Sequence, residues 1–228
     1  MIRNAKMLES LRLLRRLELP IDTILDVGIQ HSTPSLIEVF PDKRHILFEP
    51  IDDYFNQITK NYSSMDYELV NAAVCDVDGT VTLHSERKTL GTEISHSWIV
   101  QKATENSRVV DSIRLDTFLS KKSNLGSCLL KIDVEGAEIP ISILQGGRET
   151  LKHTSVVVIE MTVDRFVERA KLLDQAGFDI WDIVALCYYG DCLWQCDVIF
   201  VSRQCKNDIP SLRPIHQTPF RPELWQAG

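Results

Sequence analysis

The sequence predicts an α/β protein built on a doubly wound, mostly parallel sheet that finishes with an antiparallel strand. A length of 228 residues suits one globular domain with a sizeable core. Short β-type runs alternate with helical segments along most of the chain, which is the order of βαβ units around a parallel sheet. The last two β-type runs follow each other without a helix between them, so we expect them to pair antiparallel.

Residues 1–20 are predicted to form an N-terminal amphipathic helix. Leu8, Leu11, Leu14 and Leu17 recur at near-helical spacing, and arginines lie between them. The apolar stripe of such a helix packs either on its own domain or on a partner. A homodimer is therefore one of the arrangements that this segment allows.

The main domain is predicted over residues 21–204, and its first part alternates regularly between apolar β-type runs and amphipathic segments. We expect strands at 23–27, 45–48 and 67–74, and helices at 34–40 and 52–61. Asp78-Gly79 then separates two alternating runs, which is a hairpin turn signal. Residues 85–108 are polar and lack a clear period, so we expect a loop or lid over one edge of the sheet.

The alternation returns after this loop. We expect strands at 127–132 and 155–160, helices at 138–151 and 164–175, and a closing antiparallel pair at 178–186 and 193–201. Aromatic residues cluster near that pair, and because aromatics in paired strands are usually core, we favour a core role for them over a substrate platform. These aromatics are Trp181, Tyr188, Tyr189 and Trp194. Residues 205–228 form a separate tail in which four prolines exclude a long helix.

Charge and composition restrict the partners. The chain carries 25 Lys and Arg against 32 Asp and Glu, a formal net charge of −7, so a broad surface for nucleic acid is not expected. No apolar run approaches the roughly 18 residues of a membrane span, and we expect a cytoplasmic protein with free thiols. Cys187, Cys192 and Cys196 lie close together, but they lack a CxxC pair and fall in predicted strands, which argues against zinc.

The residues that follow the first two strands predict a nucleoside site. Ligands of open α/β sheets bind at the carboxyl ends of the strands, and here Asp26-Val27-Gly28 ends the first strand. Glu49 ends the second, where a carboxylate can accept both hydroxyls of a ribose. The loop after Gly28 has no further glycine of a dinucleotide fingerprint and no phosphate-binding motif. A cofactor with a ribose but no phosphate fits best, and S-adenosylmethionine is the common one.

Acidic residues at the ends of two later strands predict the chemistry. Asp133 and Glu160 end neighbouring predicted strands, so their carboxylates can share one cleft, with Glu135 close by. Methyl transfer from a sulfonium needs an acceptor oxygen placed in line and a destination for its proton. We take Asp133 as the central catalytic residue with Glu160 and Glu135 as partners. Asp133 and Glu160 could also bind a divalent cation such as Mg²⁺, which would lower the pKa of the acceptor hydroxyl.

The order of these segments resembles the FkbM family of S-adenosylmethionine-dependent methyltransferases. The segments that carry the resemblance are DTILDVG, HILFEP, NAAVCDVDGTVTLH, IRLDTFL, LLKIDVEGAEIPISILQGG and VVVIEM, within residues 22–202. The resemblance implies a class I methyltransferase (Rossmann-like) fold and methyl transfer mostly to oxygen of small molecules, notably sugar and polyketide hydroxyls. By position it implies cofactor contacts from Asp26, Gly28, Glu49, Asn71, Ala72 and Asp76, and an acidic motif of Asp133, Glu135 and Glu138.

The chain departs from the family at residues 29–32, where it has Ile-Gln-His-Ser in place of a segment with a second glycine. Three hypotheses follow. The first is an O-methyltransferase with a small hydroxylated acceptor. The second is an NAD-dependent oxidoreductase, which the missing GxGxxG loop disfavours. The third is a non-catalytic nucleoside-binding module, for which the altered loop is the one indication.

Overall fold

The structure is a computed structural model that describes residues 6–87, 94–100, 104–136, 138–209, 212 and 222, with no side-chain placement for residues 86, 87 and 94–98. Helices and strands alternate through much of the chain, and β10 and β11 follow each other directly. The helices are α1 (Met7–Arg16), α2 (Pro34–Val39), α3 (Phe55–Asn61, preceded by a 3-10 turn at Asp52–Tyr54), α4 (Leu115–Leu119), α5 (Ile139–Gly146), α6 (Arg148–Lys152), α7 (Phe166–Gln175) and α8 (Arg203–Asp208). The strands are β1 (Thr23–Val27), β2 (Arg44–Phe48), β3 (Tyr67–Val70), β4 (Ala73–Val74), β5 (Gly79–Arg87), β6 (Ile94–Ile99), β7 (Ser107–Ile113), β8 (Cys128–Ile132), β9 (Thr154–Thr162), β10 (Phe178–Tyr189) and β11 (Cys192–Ser202).

Seven strands form the central sheet, in the order β10-β11-β9-β8-β1-β2-β3. The pairs among β9, β8, β1, β2 and β3 are parallel, while β11 runs antiparallel to both of its neighbours. Apolar residues of α1, α2 and α3 cover one face of this sheet, and those of α4 to α7 cover the other. The predicted doubly wound, mostly parallel sheet with its antiparallel finish is therefore confirmed.

The N-terminal helix packs on the sheet of its own chain. Leu11 and Leu14 are completely buried in a cluster with Ile24, Leu36 and Ile199. Each buried leucine stabilises this contact by about 2 kcal/mol relative to exposure. The Ser10 hydroxyl also donates a hydrogen bond to Asp182 on β10. The apolar stripe of α1 thus has a partner within the chain, and the homodimer stays a prediction.

A second sheet stands where a loop and a hairpin were predicted. Its order is β4-β7-β5-β6, so the two runs flanking Asp78-Gly79 do not pair with each other, and the hairpin prediction is wrong. The Asp78 carboxylate instead accepts hydrogen bonds from the Arg114 amide (2.9 Å) and the Thr117 hydroxyl (2.7 Å), which ties the turn to the start of α4. The predicted loop at 85–108 is also wrong, because it contains β6 and the start of β7.

The closing hairpin corrects one further expectation. Of the four aromatic residues expected in the core, only Trp181 packs against it. Tyr188, Tyr189 and Trp194 are exposed, because β10 and β11 run on past the end of β9 and nothing among the described residues covers that extension. In the tail, the structure describes residues up to Ile209, the buried Leu212 and the exposed Pro222, and the other residues of the predicted tail lie outside the described ones.

Candidate active site

The carboxyl ends of β1, β2 and β8 meet at Gly28. The Gly28 amide donates to the Phe48 carbonyl at 3.1 Å, and the Asp133 amide donates to the Val27 carbonyl at 3.0 Å. Gly28 has φ +82°, and a Cβ at this position would lie 2.0 Å from the Asp133 carbonyl oxygen. Only glycine allows the first strand to turn so close to β8.

Glu49 ends β2 and is held by the backbone. Its side chain is almost fully buried, at 3% exposure. One carboxylate oxygen accepts the Gln30 amide and the other accepts the Ile51 amide, both at 2.9 Å. Burial raises the pKa of Glu49 to about 7, and the two amides oppose that shift. Each oxygen keeps a second lone pair, so the carboxylate retains the capacity to accept two ribose hydroxyls.

The loop that departs from the family keeps a tight turn without its second glycine. Gln30 has φ +50°, a left-handed conformation that is uncommon for a residue with a side chain. Ile29 is buried and packs with Leu47 and Ile51. This packing, together with the hydrogen bond to Glu49, holds Gln30 in that conformation. The substitutions at 29–32 therefore leave the loop folded against the strand-end acid.

A cleft opens at this edge and encloses about 640 Å³ of empty space, counting its opening to solvent. Its walls are mainly apolar, with a few polar groups, as in other small-molecule sites. Of the residues predicted from the sequence, Gly28, Glu49, Ala72, Asp133 and Glu135 line it. Residues that the sequence did not single out complete the apolar walls, among them Phe48, Ile51, Tyr54, Ala73 and Ile99.

Three predicted cofactor residues are not among those lining the cleft. Asp26 is completely buried beneath it, and burial raises its pKa. Asn71 is exposed just after β3. Asp76 is exposed as well, and its amide and carboxylate both bond to the Ser142 hydroxyl, at 2.9 and 2.6 Å. Asp26 and Asp76 therefore have structural roles in this arrangement, and their cofactor contacts stay predictions.

Lys131 connects the buried Asp26 to the open cleft. Its ammonium nitrogen lies 3.8 Å from Asp26 Oδ1 and 2.7 Å from Asp133 Oδ2. Burial opposes the charged form of this lysine, but the two carboxylates outweigh burial and raise the pKa of Lys131. Asp133 is about half exposed, with 47% of its side chain accessible. The ion pair therefore fixes the Asp133 carboxylate at the rim of the cleft.

Glu160 lies on the next strand, within electrostatic range of Asp133. Burial, and then the negative charges of Asp133, Glu135 and Asp197, raise the pKa of Glu160 to about 7. Gln195 of β11 donates a hydrogen bond from Nε2 to Glu160 Oε2 at 2.7 Å. The structure thus brings the three predicted catalytic acids to one edge, and the pKa of Glu160 is shifted towards neutral pH.

Gln195 and Asp197 were not predicted from the sequence. Asp197 pairs directly with Glu160 across the antiparallel ladder, and burial raises its pKa to about 6. The period of two along β11 puts Gln195 and Asp197 on one face of the sheet. This alternation is visible in the sequence. Assigning the two side chains to the site also needs the register between β9 and β11, which cannot be read from the sequence.

Glu138 lies just before α5, and its carboxylate pairs with Arg165.

The metal hypothesis gains no support from the geometry. Within the part of the chain that the structure describes, no group of three or more His, Cys, Asp or Glu side chains could hold a metal ion. Asp133 has Lys131 as its charge partner. The six cysteines are all free thiols, with Cys187 and Cys192 exposed and Cys196 buried.

No helix in the described ranges is long and apolar enough to cross a membrane.

Residues 25–180 match the sequence model of the methyltransferase FkbM domain, which is more than half of the chain. The chain belongs to the FkbM methyltransferase family. No curated protein sequence is significantly similar to it. The family match favours the methyltransferase hypothesis over the oxidoreductase, and experiment has to decide about the non-catalytic alternative.

Solved structures are similar in fold. A Streptococcus mutans protein assigned as a methyltransferase, in complex with SAH, is 10% identical with a TM-score of 0.50, over 89% of this chain and 99% of that one. An rRNA methylase from Streptococcus thermophilus is 10% identical with a TM-score of 0.49, over 89% and 98%. Fibrillarin from Aeropyrum pernix, with bound S-adenosyl-L-methionine, is 12% identical with a TM-score of 0.49, over 84% and 73%. Family and fold together support a class I methyltransferase that uses S-adenosylmethionine.

Proposed function

We propose that this FkbM-family protein transfers a methyl group from S-adenosylmethionine to a hydroxyl oxygen of a small molecule. The observation that carries the proposal is the position of Glu160, near the end of β9 and hydrogen-bonded by Gln195 at 2.7 Å. Burial and the negative charges of Asp133, Glu135 and Asp197 raise the pKa of this carboxyl to about 7. A general base works best when its pKa lies near the working pH. Glu160 is thus suited to take the proton of a hydroxyl as its oxygen is methylated.

The cleft residues fit the methyl donor. S-adenosylmethionine supplies an electrophilic methyl group on a positively charged sulfur. Glu49 would accept its ribose hydroxyls with the lone pairs that the backbone amides leave unused. The apolar walls at Ile51, Tyr54 and Ala73 would cover its base. The close turn at Gly28 keeps the loop backbone at the carboxyl edge, where a nucleoside binds in such sheets.

The acidic residues have separate roles in this proposal. Asp133, held by Lys131 at the rim, accepts a hydrogen bond from an acceptor hydroxyl and orients it. Glu160 receives the proton that leaves the reacting oxygen. Orientation of two reactants in one site removes much of the entropic barrier to their reaction. This assignment moves the central role from Asp133, as the sequence suggested, to Glu160.

The local charge favours a small, uncharged acceptor. Asp133, Glu135, Glu160 and Asp197 concentrate negative charge on the acceptor side of the cleft. Like charges repel, so a phosphate-rich polymer is a poor substrate at this edge. Carboxylates accept hydrogen bonds from hydroxyls, so a neutral hydroxylated molecule is well suited to it. A cytoplasmic location with free thiols belongs to the same proposal.

The test is a methyl transfer assay with labelled S-adenosylmethionine and three acceptor panels: hydroxylated small molecules, amines and structured RNA. Mass spectrometry of each product identifies the methylated atom. The proposal expects methyl ethers in the first panel and no product in the RNA panel. Methylation of nitrogen, carbon or RNA would contradict the O-methyl assignment. No S-adenosylhomocysteine binding and no turnover would favour the non-catalytic module.

A further inference from the structure

Strands β8 and β9 stop pairing just before the candidate acids. Their parallel register ends with Ile132 opposite Ile159, and the next residues of the two segments are Asp133 and Glu160. The Asp133 amide then bonds to the Val27 carbonyl of β1 at 3.0 Å. Buried backbone groups beyond the end of a ladder need other hydrogen-bond partners. The relative position of the two acid-bearing segments therefore depends on contacts from outside the β8–β9 ladder.

Arg169 of α7 bridges these two segments. Its Nη1 donates to the Glu160 carbonyl at 2.9 Å, and its Nη2 donates to the Gly136 carbonyl at 3.3 Å. Gly136 lies in the loop that carries Asp133 and Glu135, where it has φ +104°. The planar guanidinium offers several N–H donors in fixed directions, which a lysine does not. One side chain thus joins the backbones of both segments.

Arg169 is a buried charge. Its side chain is only 2% exposed. Burial lowers the pKa of this guanidinium, and the negative charges of Asp164 and Glu160 oppose that shift. A buried cation is costly unless its hydrogen bonds are made, and an apolar side chain of similar size often stabilises a core equally well. Packing alone therefore does not account for an arginine at this position.

Neighbouring residues of α7 hold the helix in place. Leu173, one turn after Arg169, is completely buried in the core cluster that α4 to α7 cover. Arg165, one turn before Arg169, pairs with the Glu138 carboxylate just before α5. Residues four apart lie on one side of a helix, so these contacts fix the side of α7 from which Arg169 extends. The backbone that carries the bridging arginine is thus anchored.

The proposed reaction depends on the separation of the two segments. Asp133 orients the acceptor hydroxyl and Glu160 receives its proton, so both carboxylates have to address one oxygen. Reacting groups that are displaced by about 1 Å lose about 100-fold in rate. A contact that fixes the two backbones relative to each other therefore affects turnover.

From these contacts we propose that Arg169 is a positioning residue, which holds Glu160 and the loop of Asp133 at their working separation. The inference rests on the proposed function, because it concerns the acids of that same site. Arg169 acts through two main-chain carbonyls and is not among the residues lining the cofactor cleft. The acceptor half of the site should depend on Arg169, and the cofactor half should not.

The experiment compares Arg169→Lys and Arg169→Met with the wild type in the full chain. Methyl transfer is measured with labelled S-adenosylmethionine and the hydroxylated small molecule that the wild type methylates fastest. We expect Arg169→Met to lose about 100-fold in kcat, since both bridging donors are removed. Arg169→Lys should lose less, about 10-fold, because lysine keeps the charge but lacks the guanidinium fork. Affinity for S-adenosylhomocysteine should stay within about twofold in both variants.

Leu173→Ala is the matched control. It removes a buried side chain one turn away on the same helix and lowers stability by leaving a cavity, while both hydrogen bonds of Arg169 remain. Its kcat should stay within about threefold of the wild type. Amide hydrogen exchange gives a second measurement that needs no acceptor. Residues 133–136 should exchange at least about tenfold faster in Arg169→Met than in Leu173→Ala.

Three results would overturn the inference. Unchanged kcat in Arg169→Met would do so, as would an equal loss of kcat in Leu173→Ala, which would make the effect one of stability. Unchanged exchange at 133–136 would show that the bridge does not hold the loop. If Arg169→Met does not fold, Arg169→Lys replaces it, and wild-type kcat and exchange in that variant would count against the inference. Failure of the proposed function is seen separately, as absent binding of S-adenosylhomocysteine or absent methyl transfer in the wild type, where hydrogen exchange still tests the bridge.

Discussion

Glu49 directly follows β2, and Glu160 lies near the end of β9 in the same sheet. The pKa of each is raised to about 7, yet their surroundings differ. Glu49 is held by two backbone amides, from Gln30 and Ile51. Glu160 is surrounded by side chains: Gln195 donates to it, and Asp133, Glu135 and Asp197 add negative charge. The fold itself therefore fixes the cofactor half of the site, whereas individual side chains set the acceptor half.

Because of this difference, a substitution affects a different property in each half of the site. A backbone amide stays in place when side chains are exchanged, so the position of Glu49 depends on the loop at 29–32 keeping its turn. The ionisation of Glu160 depends on side chains from two parts of the chain: Gln195 and Asp197 on β11, and Asp133 and Glu135 in the loop after β8. Acceptor chemistry can consequently change while the cofactor site stays the same.

The largest expected effect is on turnover in the acceptor half. Glu160→Gln keeps the shape of the side chain and removes the proton acceptor, so we expect kcat for methyl transfer to fall by about 10²- to 10⁴-fold. Affinity for S-adenosylhomocysteine should stay within about twofold of the wild type, because Glu160 is not among the residues lining the cofactor cleft. Single-turnover kinetics and titration measure the two quantities. Unchanged turnover would remove Glu160 from the mechanism.

The next effect tests the backbone of the cofactor half. In Gly28→Ala the new methyl group meets the Asp133 carbonyl at 2.0 Å and the residue keeps a positive φ, so we expect a loss of unfolding free energy above about 3 kcal/mol. Gly177→Ala is the matched control, since Gly177 has φ +92° but no atom within 4 Å of an added Cβ. That variant carries the strain alone, about 1 to 2 kcal/mol. Equal losses in urea unfolding would show that the contact with Asp133 is not what requires glycine.

The third prediction returns to Glu49. Glu49→Gln replaces one carboxylate oxygen with an amide group that cannot accept a backbone N–H, so we expect affinity for S-adenosylhomocysteine to fall by about 10- to 100-fold. Methyl transfer at saturating S-adenosylmethionine should change much less than it does in Glu160→Gln. A titration of both variants gives the comparison. Equal loss of kcat in the two variants would mean that the halves do not act separately.

The sequence was sufficient to predict the central sheet, because its strands are apolar runs broken by helices with a clear period. The second sheet was not predicted, because its strands have an exposed face and their sequence does not show a clear alternation of apolar and polar residues. Val109, for example, is 69% exposed although it lies in β7. The Asp78-Gly79 turn was mistaken for a hairpin because its aspartate caps α4, a contact with residues 36 and 39 positions away.

Some residues of the candidate site could likewise be predicted from the sequence, and others could not. Gly28 and Glu49 follow directly from strand ends, so position along the chain was enough to find them. Gln195 and Asp197 come close to Glu160 through the pairing of β9 with β11. The pairing of β10 with β11 contains register shifts, which cannot be predicted from the local sequence pattern. The exposed Tyr189 and Trp194 were expected in the core, because aromatic residues in paired strands usually pack there. These two side chains are exposed because the hairpin of β10 and β11 extends past the end of β9.

The smallest expected effect is the pH dependence of stability. The pKa of Glu49 is about 7 in the folded chain against an ordinary value of 4.5 for this side chain, so the folded state keeps the proton that the unfolded state releases. Its contribution to stability is complete below about pH 4.5 and is lost as the pH rises through 7. Between pH 6 and 7.5 the loss is about 1 kcal/mol. Urea unfolding at these two values should show a loss that is about 1 kcal/mol smaller in Glu49→Gln than in the wild type. Because Glu160 titrates in the same range, Glu160→Gln should also reduce the pH dependence of stability. Gln195→Leu removes the hydrogen bond to Glu160 and should leave the part of the pH dependence that is due to Glu49 unchanged. If Gln195→Leu removed the dependence due to Glu49, the two halves of the site would be one coupled system.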